Sequence, residues 1–337
     1  MSTRQGMSWT QSARVAGRGL RNYMTDRPLV ISFEVTHSCT CNCLHCDRGG
    51  KTEEKELLGP ADYTALASSL RPSVLQVSGG EPLLRTDVVD IVKAIKKYPD
   101  GLPHVILVTN GSLLNEEKYA ALKEAGVDRF SVSLDFPNEK HDEFRRHPGL
   151  YAHLEETIPR LAAGFDCDDI ALNSAITRHN VPYLIDLANK AEEWGVSISY
   201  SAYGVLRTGD ESFFIYSRED LEMLQRKIQE LIQLKKERRK ILNSTYTLMK
   251  TYEFFRDGHI PDCNVGRRFL VVRPNGYLVP CSMRPHHRLY STQEEMLEEF
   301  SKHNECGACY VAIRAYSDKS FGTLVKDNLS FLFSNLL

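Results

Sequence analysis

The sequence lacks the features that define several protein classes. Its 337 residues contain no uncharged apolar run near the ~18 to 20 residues of a membrane span. The N-terminus lacks the apolar core and cleavage site of a secretory signal. The 42 Lys+Arg and 44 Asp+Glu leave a net charge of −2, so no overall basic field suits nucleic acid. We therefore predict a cytoplasmic protein with no nucleic-acid partner.

The composition is that of a folded globular chain. Apolar residues make up 42% and charged residues 26%, which excludes a mostly disordered, collagen-like or coiled-coil protein. The length suggests about two structural units, at roughly 150 residues each.

Nine cysteines need an explanation that suits a cytoplasmic protein. They are Cys39, Cys41, Cys43, Cys46, Cys167, Cys263, Cys281, Cys306 and Cys309. Disulfide frameworks are typical of short secreted chains, and an odd number fits pairing poorly. Metal or iron–sulfur ligation is the leading interpretation.

Apolar β-branched runs alternate with amphipathic helical stretches over the first 240 residues. The predicted strands are 29–36, 74–78, 104–109, 129–134, 170–176 and 196–202. The predicted helices are 61–71, 87–98, 115–125, 151–163, 182–194 and 217–242. Six βα units in succession predict parallel strands with right-handed crossovers. Periodicity alone leaves an open doubly wound sheet and a partial barrel both possible, and either places ligands at the C-terminal strand ends.

The pattern changes after about residue 250. A short hairpin is predicted, with strands at 269–272 and 277–279 around the turn 274–276, and four cysteines accompany it. We interpret this part as a second, smaller unit.

The first cysteine group follows strand one. Cys39, Cys43 and Cys46 have the spacing C-x3-C-x2-C. Three thiolates can hold three corners of a cubane cluster and leave the fourth iron without a protein ligand. An open metal position is typical of catalytic sites. Cys41 breaks the spacing and is predicted not to be a ligand. A zinc knuckle or buried structural cysteines are the alternatives.

A second motif, Ser78-Gly79-Gly80-Glu81-Pro82, follows strand two. With the cysteine loop it resembles the radical S-adenosylmethionine (radical SAM) superfamily. The resemblance implies a partial (βα)6 TIM-like barrel, a 4Fe–4S cluster on the three cysteines, and a Gly-Gly-Glu-Pro segment at the SAM amino group. It also implies reductive cleavage of SAM to a 5′-deoxyadenosyl radical, which abstracts hydrogen from a substrate carbon.

The same resemblance assigns further SAM contacts at the strand ends. Thr109 and Asn110 end strand three, and Ser133 and Asp135 close strand four. The full set of predicted SAM-binding residues is His45, Gly79, Gly80, Glu81, Thr109, Asn110, Ser133, Asp135 and Asn173. His45 stands where the family has an aromatic residue.

The C-terminal cysteines could form a four-thiolate iron–sulfur site, and a zinc site has the same ligands. The spacing from Cys263 through Gly276 to Cys281 resembles the opening of SPASM and Twitch domains, and Cys306 and Cys309 follow. Position 315 is Ala, so the cysteines of a full SPASM domain are lacking. The resemblance therefore implies a Twitch domain with one auxiliary 4Fe–4S cluster. Cys167 matches nothing and is interpreted as an ordinary thiol.

We divide the chain into four parts. These are a basic amphipathic segment at 1–28, the core at 29–250, the Twitch-like domain at 251–315 and an apolar tail at 316–337. A basic amphipathic helix can lie on an anionic bilayer, which suggests a peripheral membrane contact and a lipid-like substrate. The alternative is that both tails cover the ends of the barrel. Tyr200, Tyr203 and Arg207, on or after strand six, are substrate-pocket candidates by position.

The sequence thus predicts a radical SAM enzyme that attacks an unactivated carbon of a small molecule or lipid, with a flavodoxin or ferredoxin as reductant. The segment before strand one is too short for a leader-binding module, which disfavours a peptide substrate. A peptide maturase is the alternative within the superfamily. A non-catalytic zinc or iron–sulfur electron carrier is the alternative outside it.

Overall fold

A computed structural model describes residues 9–50, 54, 56–97, 101–165, 168–238, 240–284 and 288–334. The interpretation of Cys167 concerns a residue outside these ranges. So do the outermost residues of the predicted N- and C-terminal segments, 1–8 and 335–337. In the described part of the chain, no helix is both long and apolar enough to cross a bilayer.

The core of the molecule is one sheet. Its strands are β1 Val30–Thr36, β2 Val74–Gly79, β3 His104–Thr109, β4 Arg129–Ser133, β5 Ile170–Ile176, β6 Ser197–Ala202, β7 Phe269–Val272 and β8 Leu278–Val279. Their order is β6-β5-β4-β3-β2-β1-β7-β8, and every neighbouring pair from β6 to β7 is parallel. The first and last strands do not pair, so the barrel stays open. The predicted α/β partial barrel is confirmed.

Helices connect and surround the strands. They are α1 Trp9–Met24, α2 Pro60–Leu70, α3 Val88–Ile95, α4 Glu116–Ala125, α5 Lys140–Arg145, α6 Leu150–Gly164, α7 Leu184–Glu193, α8 Arg218–Arg238, α9 Thr245–Asp257, α10 Gln293–Glu299, α11 Ala312–Ser317 and α12 Phe321–Ser334. Strand β1 is buried on both faces, which is why its sequence is mostly apolar.

The C-terminal hairpin continues the main sheet. Strand β7 pairs in parallel with β1, in the register Val30 to Phe269, and β8 returns antiparallel to it. Local periodicity did not predict this pairing, because parallel pairing between distant segments leaves no trace in it. The hairpin therefore belongs to the same sheet as β1, the strand that leads into the first cysteine loop.

The predicted boundary at residue 250 falls inside α9, Thr245–Asp257. Sequence analysis missed this helix. Ser244 caps its N-terminus by accepting from the Thr247 amide, and Phe254 and Phe255 pack into the main core. The helix packs against β6 and α8 of the barrel.

The end of the barrel formed by the N-termini of the strands is covered. Helix α1 crosses it: Gln11 bonds to Asp128 before β4, and the buried Asn22 amide donates to the carbonyl of Arg71 before β2. Tyr23 of α1 contacts Phe321 of α12, with ring centroids 5.5 Å apart. Helices α1 and α12 therefore contact each other at this end of the barrel.

Acid should destabilise this end through His104, the first residue of β3. Burial lowers the pKa of His104 to about 4, against about 6.5 in an unfolded chain. Because the unfolded state binds the proton first, this contribution to stability is complete above about pH 6.5 and falls as the pH drops toward 4. At about pH 5 the loss is roughly 2 kcal/mol. Urea unfolding across this pH range should show a shallower decline for His104→Gln, whereas equal slopes would contradict the assignment.

Candidate active site

The first cysteine loop lies at the open end of the barrel, directly after β1. Helix α5 holds it from one side: the Leu44 amide donates to the Phe144 carbonyl at 3.0 Å, and the Asn42 amide to the Arg145 carbonyl at 3.3 Å. Sequence analysis did not predict this helix. Its role here is to fix the position of the loop that carries the thiols.

Each of the three predicted ligand sulfurs accepts a hydrogen bond, two from other elements and one from within the cysteine loop. The sulfur of Cys39 lies 3.6 Å from the Asn110 amide nitrogen after β3, and that of Cys43 lies 3.8 Å from Arg145 Nη1. The Cys46 sulfur accepts from the Arg48 backbone amide at 3.4 Å. Such donors stabilise negative charge on sulfur, which suits thiolates that bind a metal cluster.

The thiol of Cys41 lies between two of these sulfurs. Its hydrogen bonds to Cys39 and Cys43 lower the pKa of each of those thiols to about 7 and raise the pKa of Cys41 itself. Burial raises the pKa of Cys46.

The Gly79-Gly80-Glu81 segment is joined to the same loop by its backbone. The Gly80 amide donates to the Thr36 carbonyl at 2.7 Å, and the Glu81 amide donates to the Ser38 carbonyl at 2.8 Å. A Cβ on Gly80 would overlap the Ser38 carbonyl oxygen, and Gly79 has a φ of +135°. Glycine at both positions is what allows the second strand to approach the cysteine loop.

The Glu81 carboxylate points into the protein. It is fully buried and accepts from the Thr109 hydroxyl, the Asn110 amide and the Leu83 amide. It thus locks β2 to β3 and supports Asn110, the donor to Cys39. Of the predicted SAM contacts, Glu81 and Thr109 have their polar side-chain atoms occupied in this way.

Polar side chains from β4 and β5 lie side by side at the open end. Ser133 and Asn173 are register partners, and both are partly exposed. Asp135 is fully buried, and its carboxylate accepts hydrogen bonds from Arg145 Nε at 2.7 Å and from the Ala175 amide at 2.9 Å. Burial alone would raise the pKa of Asp135, but the Arg145 guanidinium holds it below its usual range. Asp135 therefore orients Arg145 toward Cys43.

His45 stacks on Phe144, with ring centroids 4.6 Å apart and planes at 10°. Burial lowers the pKa of this imidazole to about 3, so it is neutral near pH 7. Its Nδ1 is buried without a hydrogen-bond partner among the described residues. A neutral ring nitrogen is thus left to bond a ligand.

An ionic cluster beside the loop was missed by sequence analysis. Glu34 is 3% exposed and meets Arg273 at 3.0 Å, Arg48 at 3.4 Å and His37 at 2.9 Å. Burial raises its pKa, but hydrogen bonding to His37 and the two arginines bring it down to about 2. The cluster ties the hairpin to the cysteine loop. Glu34, the one charged residue of the buried strand β1, was the available signal.

The three substrate-pocket candidates lie in three different places. Tyr200 is buried in the core, and its hydroxyl donates to the Leu184 carbonyl, so its side chain does not reach the open end. The Tyr203 hydroxyl bonds Thr208 and the Asp210 carbonyl, which stabilises the loop after β6. Arg207 pairs with Asp47, next to Cys46, and lies at the cysteine loop.

The four C-terminal cysteines line one cavity of about 380 Å³. Cys263 follows α9, Cys281 follows β8, and Cys306 and Cys309 come from the segment before α11. Burial raises the pKa of Cys263 to about 12 and that of Cys281 to about 11, so bare thiols here are neutral near pH 7. The structure brings the predicted second set together.

Arg314 fastens the walls of this cavity. It is 1% exposed and donates to the carbonyls of Cys309 at 2.6 Å, Ile260 at 2.7 Å and Pro261 at 2.8 Å. Asn304 adds a bond to the Cys263 carbonyl at 2.7 Å. These side-chain bonds to backbone carbonyls hold the segment that carries Cys263 against the segment that carries Cys309.

Neither cysteine set converges on a single point. Among the described residues, no three His, Cys, Asp or Glu side chains are arranged to hold one metal ion. A cubane cluster makes a different demand, because each thiolate binds a separate iron atom.

Comparison with known proteins shows similarity to one family over almost half of the chain. Residues 33–188 match the radical SAM superfamily. Over 198 residues the chain is 34% identical to an AdoMet-dependent heme synthase of Methanosarcina barkeri, covering 56% of this chain and 54% of that protein. Over 156 residues it is 35% identical to a probable GTP 3′,8-cyclase of Methanothermobacter thermautotrophicus, covering 45% and 50%. The chain thus spans about half the length of these curated relatives.

Solved structures share the fold. The native anSMEcpe structure with bound AdoMet superposes with a TM-score of 0.61 at 16% identity, covering 92% of this chain and 98% of that one. Streptococcus suis SuiB bound to the precursor peptide SuiA gives 0.58 at 15% identity, covering 92% and 70%. The cysteine loop and strands β2 to β5 lie within the matched region, whereas β7, which also pairs with β1, lies outside it. Residues 33–188 of this chain are therefore a region similar to the radical SAM superfamily, within a fold that these solved structures share.

Proposed function

We propose that the protein cleaves SAM reductively at the first cysteine loop and abstracts hydrogen from an unactivated carbon of a small-molecule or lipid-like substrate. The observation that carries this proposal is the meeting of Cys39, Cys43 and Cys46 with Gly79 and Gly80 at the open end of the barrel. The radical SAM superfamily uses a 4Fe–4S cluster and SAM, and this proximity of the cysteine loop and the glycine pair supports the proposal that they bind these two cofactors.

The residues present fit a cluster with one open iron. Each of the three cysteine sulfurs faces a hydrogen-bond donor, which stabilises a thiolate ligand. Bound and reduced, the cluster supplies the electron that splits SAM into methionine and a 5′-deoxyadenosyl radical. The protein's own task is to hold the substrate carbon near this site and to exclude water.

We assign the SAM contacts in two groups. The backbone of Gly79 and Gly80, with the partly exposed Ser133 and Asn173, would face the methionine and ribose portions. His45 would offer its neutral Nδ1 to the adenine. Glu81, Thr109 and Asp135 would act through the residues they orient, since their polar atoms are engaged within the protein.

The second cysteine set fits one auxiliary 4Fe–4S cluster with four protein ligands. The shared cavity and the Arg314 bonds that hold its walls support this assignment. Four thiolates leave no iron open, so electron relay or structural support is the proposed role. A flavodoxin or ferredoxin would be the reductant.

The substrate class has two candidates. SuiB, which shares the fold, is described with a bound precursor peptide, so a peptide maturase is the second candidate. The heme synthase and GTP cyclase relatives, by their names, act on small molecules, and their sequence identity is higher. We therefore propose a small-molecule or lipid-like substrate first.

Iron analysis of single variants tests the two-cluster assignment. The reconstituted protein should hold about eight iron atoms. Cys43→Ala should lose the first cluster and Cys281→Ala the second, leaving about four each. Cys41→Ala is the control and should keep the full complement. Stoichiometric zinc in the Cys281-dependent site would contradict the auxiliary cluster without affecting the first assignment.

A further inference from the structure

The closed end of the barrel carries a concentrated positive charge. A small cavity there is lined by four arginines and one amide, which we call the arginine pocket: Arg18, Arg21, Asn22, Arg27 and Arg71. They come from α1, the segment before β1 and the C-terminal cap of α2. No acidic residue is among the described residues that line it. Four guanidinium groups around one cavity form a site for an anion.

The size and chemistry of the pocket favour a phosphate group. Its volume is about 60 Å³. That is room for roughly four or five water molecules, the scale of one phosphate. Guanidinium groups bind phosphate oxygens in a planar, two-bond geometry. The buried Asn22 holds the frame, since its amide bonds the carbonyls of Pro28 and Arg71.

Exposed apolar side chains accompany the pocket. Leu20 and Met24 lie one turn apart on α1, and Met24 is 76% exposed. Phe321 and Val325, also one turn apart and exposed, lie on α12, which packs against α1. Arg14, Arg18 and Arg21, at spacings of four and three, form a basic line beside the first pair. An apolar strip flanked by arginines is typical of helices that lie in a membrane interface.

We propose that this end of the barrel docks on an anionic phospholipid bilayer, with a lipid phosphate in the arginine pocket. Charge complementarity selects this occupant, because the surface combines a phosphate-sized basic cavity with apolar side chains that acyl chains can cover. The surface lies opposite the cysteine loop. Docking therefore positions the enzyme at a membrane while its catalytic opening faces away from the bilayer.

Vesicle sedimentation of the reconstituted enzyme tests the proposal. The protein should pellet with phosphatidylcholine vesicles containing phosphatidylglycerol and stay in solution with phosphatidylcholine alone. Arg21→Gln/Arg71→Gln should weaken binding about 30-fold, since each arginine near an anionic surface contributes roughly a factor of five. The matched control is Arg160→Gln/Arg218→Gln, which removes two exposed arginines elsewhere and should bind like the parent.

Two further measurements separate the contribution of the apolar side chains from that of the arginine pocket. Met24→Gln should weaken binding, whereas Met249→Gln, at another exposed methionine on α9, should not. Sodium phosphate should compete better than sodium chloride of equal ionic strength if the pocket holds a phosphate. SAM cleavage by the pocket variants should match the parent, which shows that they fold.

Three results would overturn the proposal. One is a parent that does not pellet with anionic vesicles. The second is equal loss in the pocket pair and the control pair, which would reduce the effect to net charge. The third is binding of inorganic phosphate to the pocket without vesicle binding, which would assign the site to a soluble phosphate.

Discussion

Replacing Arg145 with methionine is expected to lower the free energy of unfolding by about 3–5 kcal/mol, because it leaves a fully buried Asp135 carboxylate without its partner. The same change removes the donor that faces the Cys43 sulfur. The variant should therefore also lose iron from the first cysteine loop. Urea unfolding and iron analysis measure the two effects.

Two comparison variants isolate the buried charge. Arg146→Gln removes the adjacent, exposed arginine and should leave stability and iron content unchanged. Asp135→Asn combined with Arg145→Met removes both charges, and asparagine can still accept from the Ala175 amide. This pair should recover part of the lost stability without restoring the donor to Cys43. No recovery would mean that packing, rather than charge, explains the loss.

Gly80→Ala should prevent the first cluster from assembling. The added methyl group would overlap the backbone carbonyl of Ser38, which no side-chain rotation can relieve. Relief requires β2 to move away from the cysteine loop, breaking the bonds from the Gly80 and Glu81 amides. We expect about four of about eight iron atoms to be lost, together with SAM cleavage.

Gly164→Ala provides the control for that substitution. Gly164 ends α6 with open space around it, so a methyl group there is tolerated and favours the helix. Equal iron content in the Gly80 and Gly164 variants would contradict the close approach of β2 to the loop.

Local pattern predicted the strands well. The bounds of β3 and β5 agree with the sequence prediction because both are apolar runs ended by polar or turn residues. Helix α9 was missed since its aromatic and threonine residues, such as Phe254 and Thr251, do not separate into clear apolar and polar faces. The pairing of β7 with β1 could not be predicted, because it joins residues more than 200 positions apart.

In the candidate site, too, the features that are local in sequence could be predicted and the contacts between distant residues could not. The cysteine spacing and the glycine pair could be identified from the sequence, because each motif consists of residues that are close together in the chain. The partners that support them are distant in the chain: Arg145 for Cys43, Asn110 for Cys39 and Arg273 for Glu34. Position alone also suggested that Tyr200 faces a substrate, whereas its hydroxyl bonds inside the core.

The most direct test of the account is SAM cleavage under anaerobic conditions. The protein is reconstituted with iron and sulfide, reduced with dithionite and supplied with SAM, and 5′-deoxyadenosine is quantified. The account predicts product from the parent and from Cys281→Ala, and none from Cys43→Ala. Product from Cys43→Ala at the level of the parent would contradict it. So would a parent that holds its full iron, forms no product and shows no SAM-induced change in the EPR spectrum of the reduced cluster.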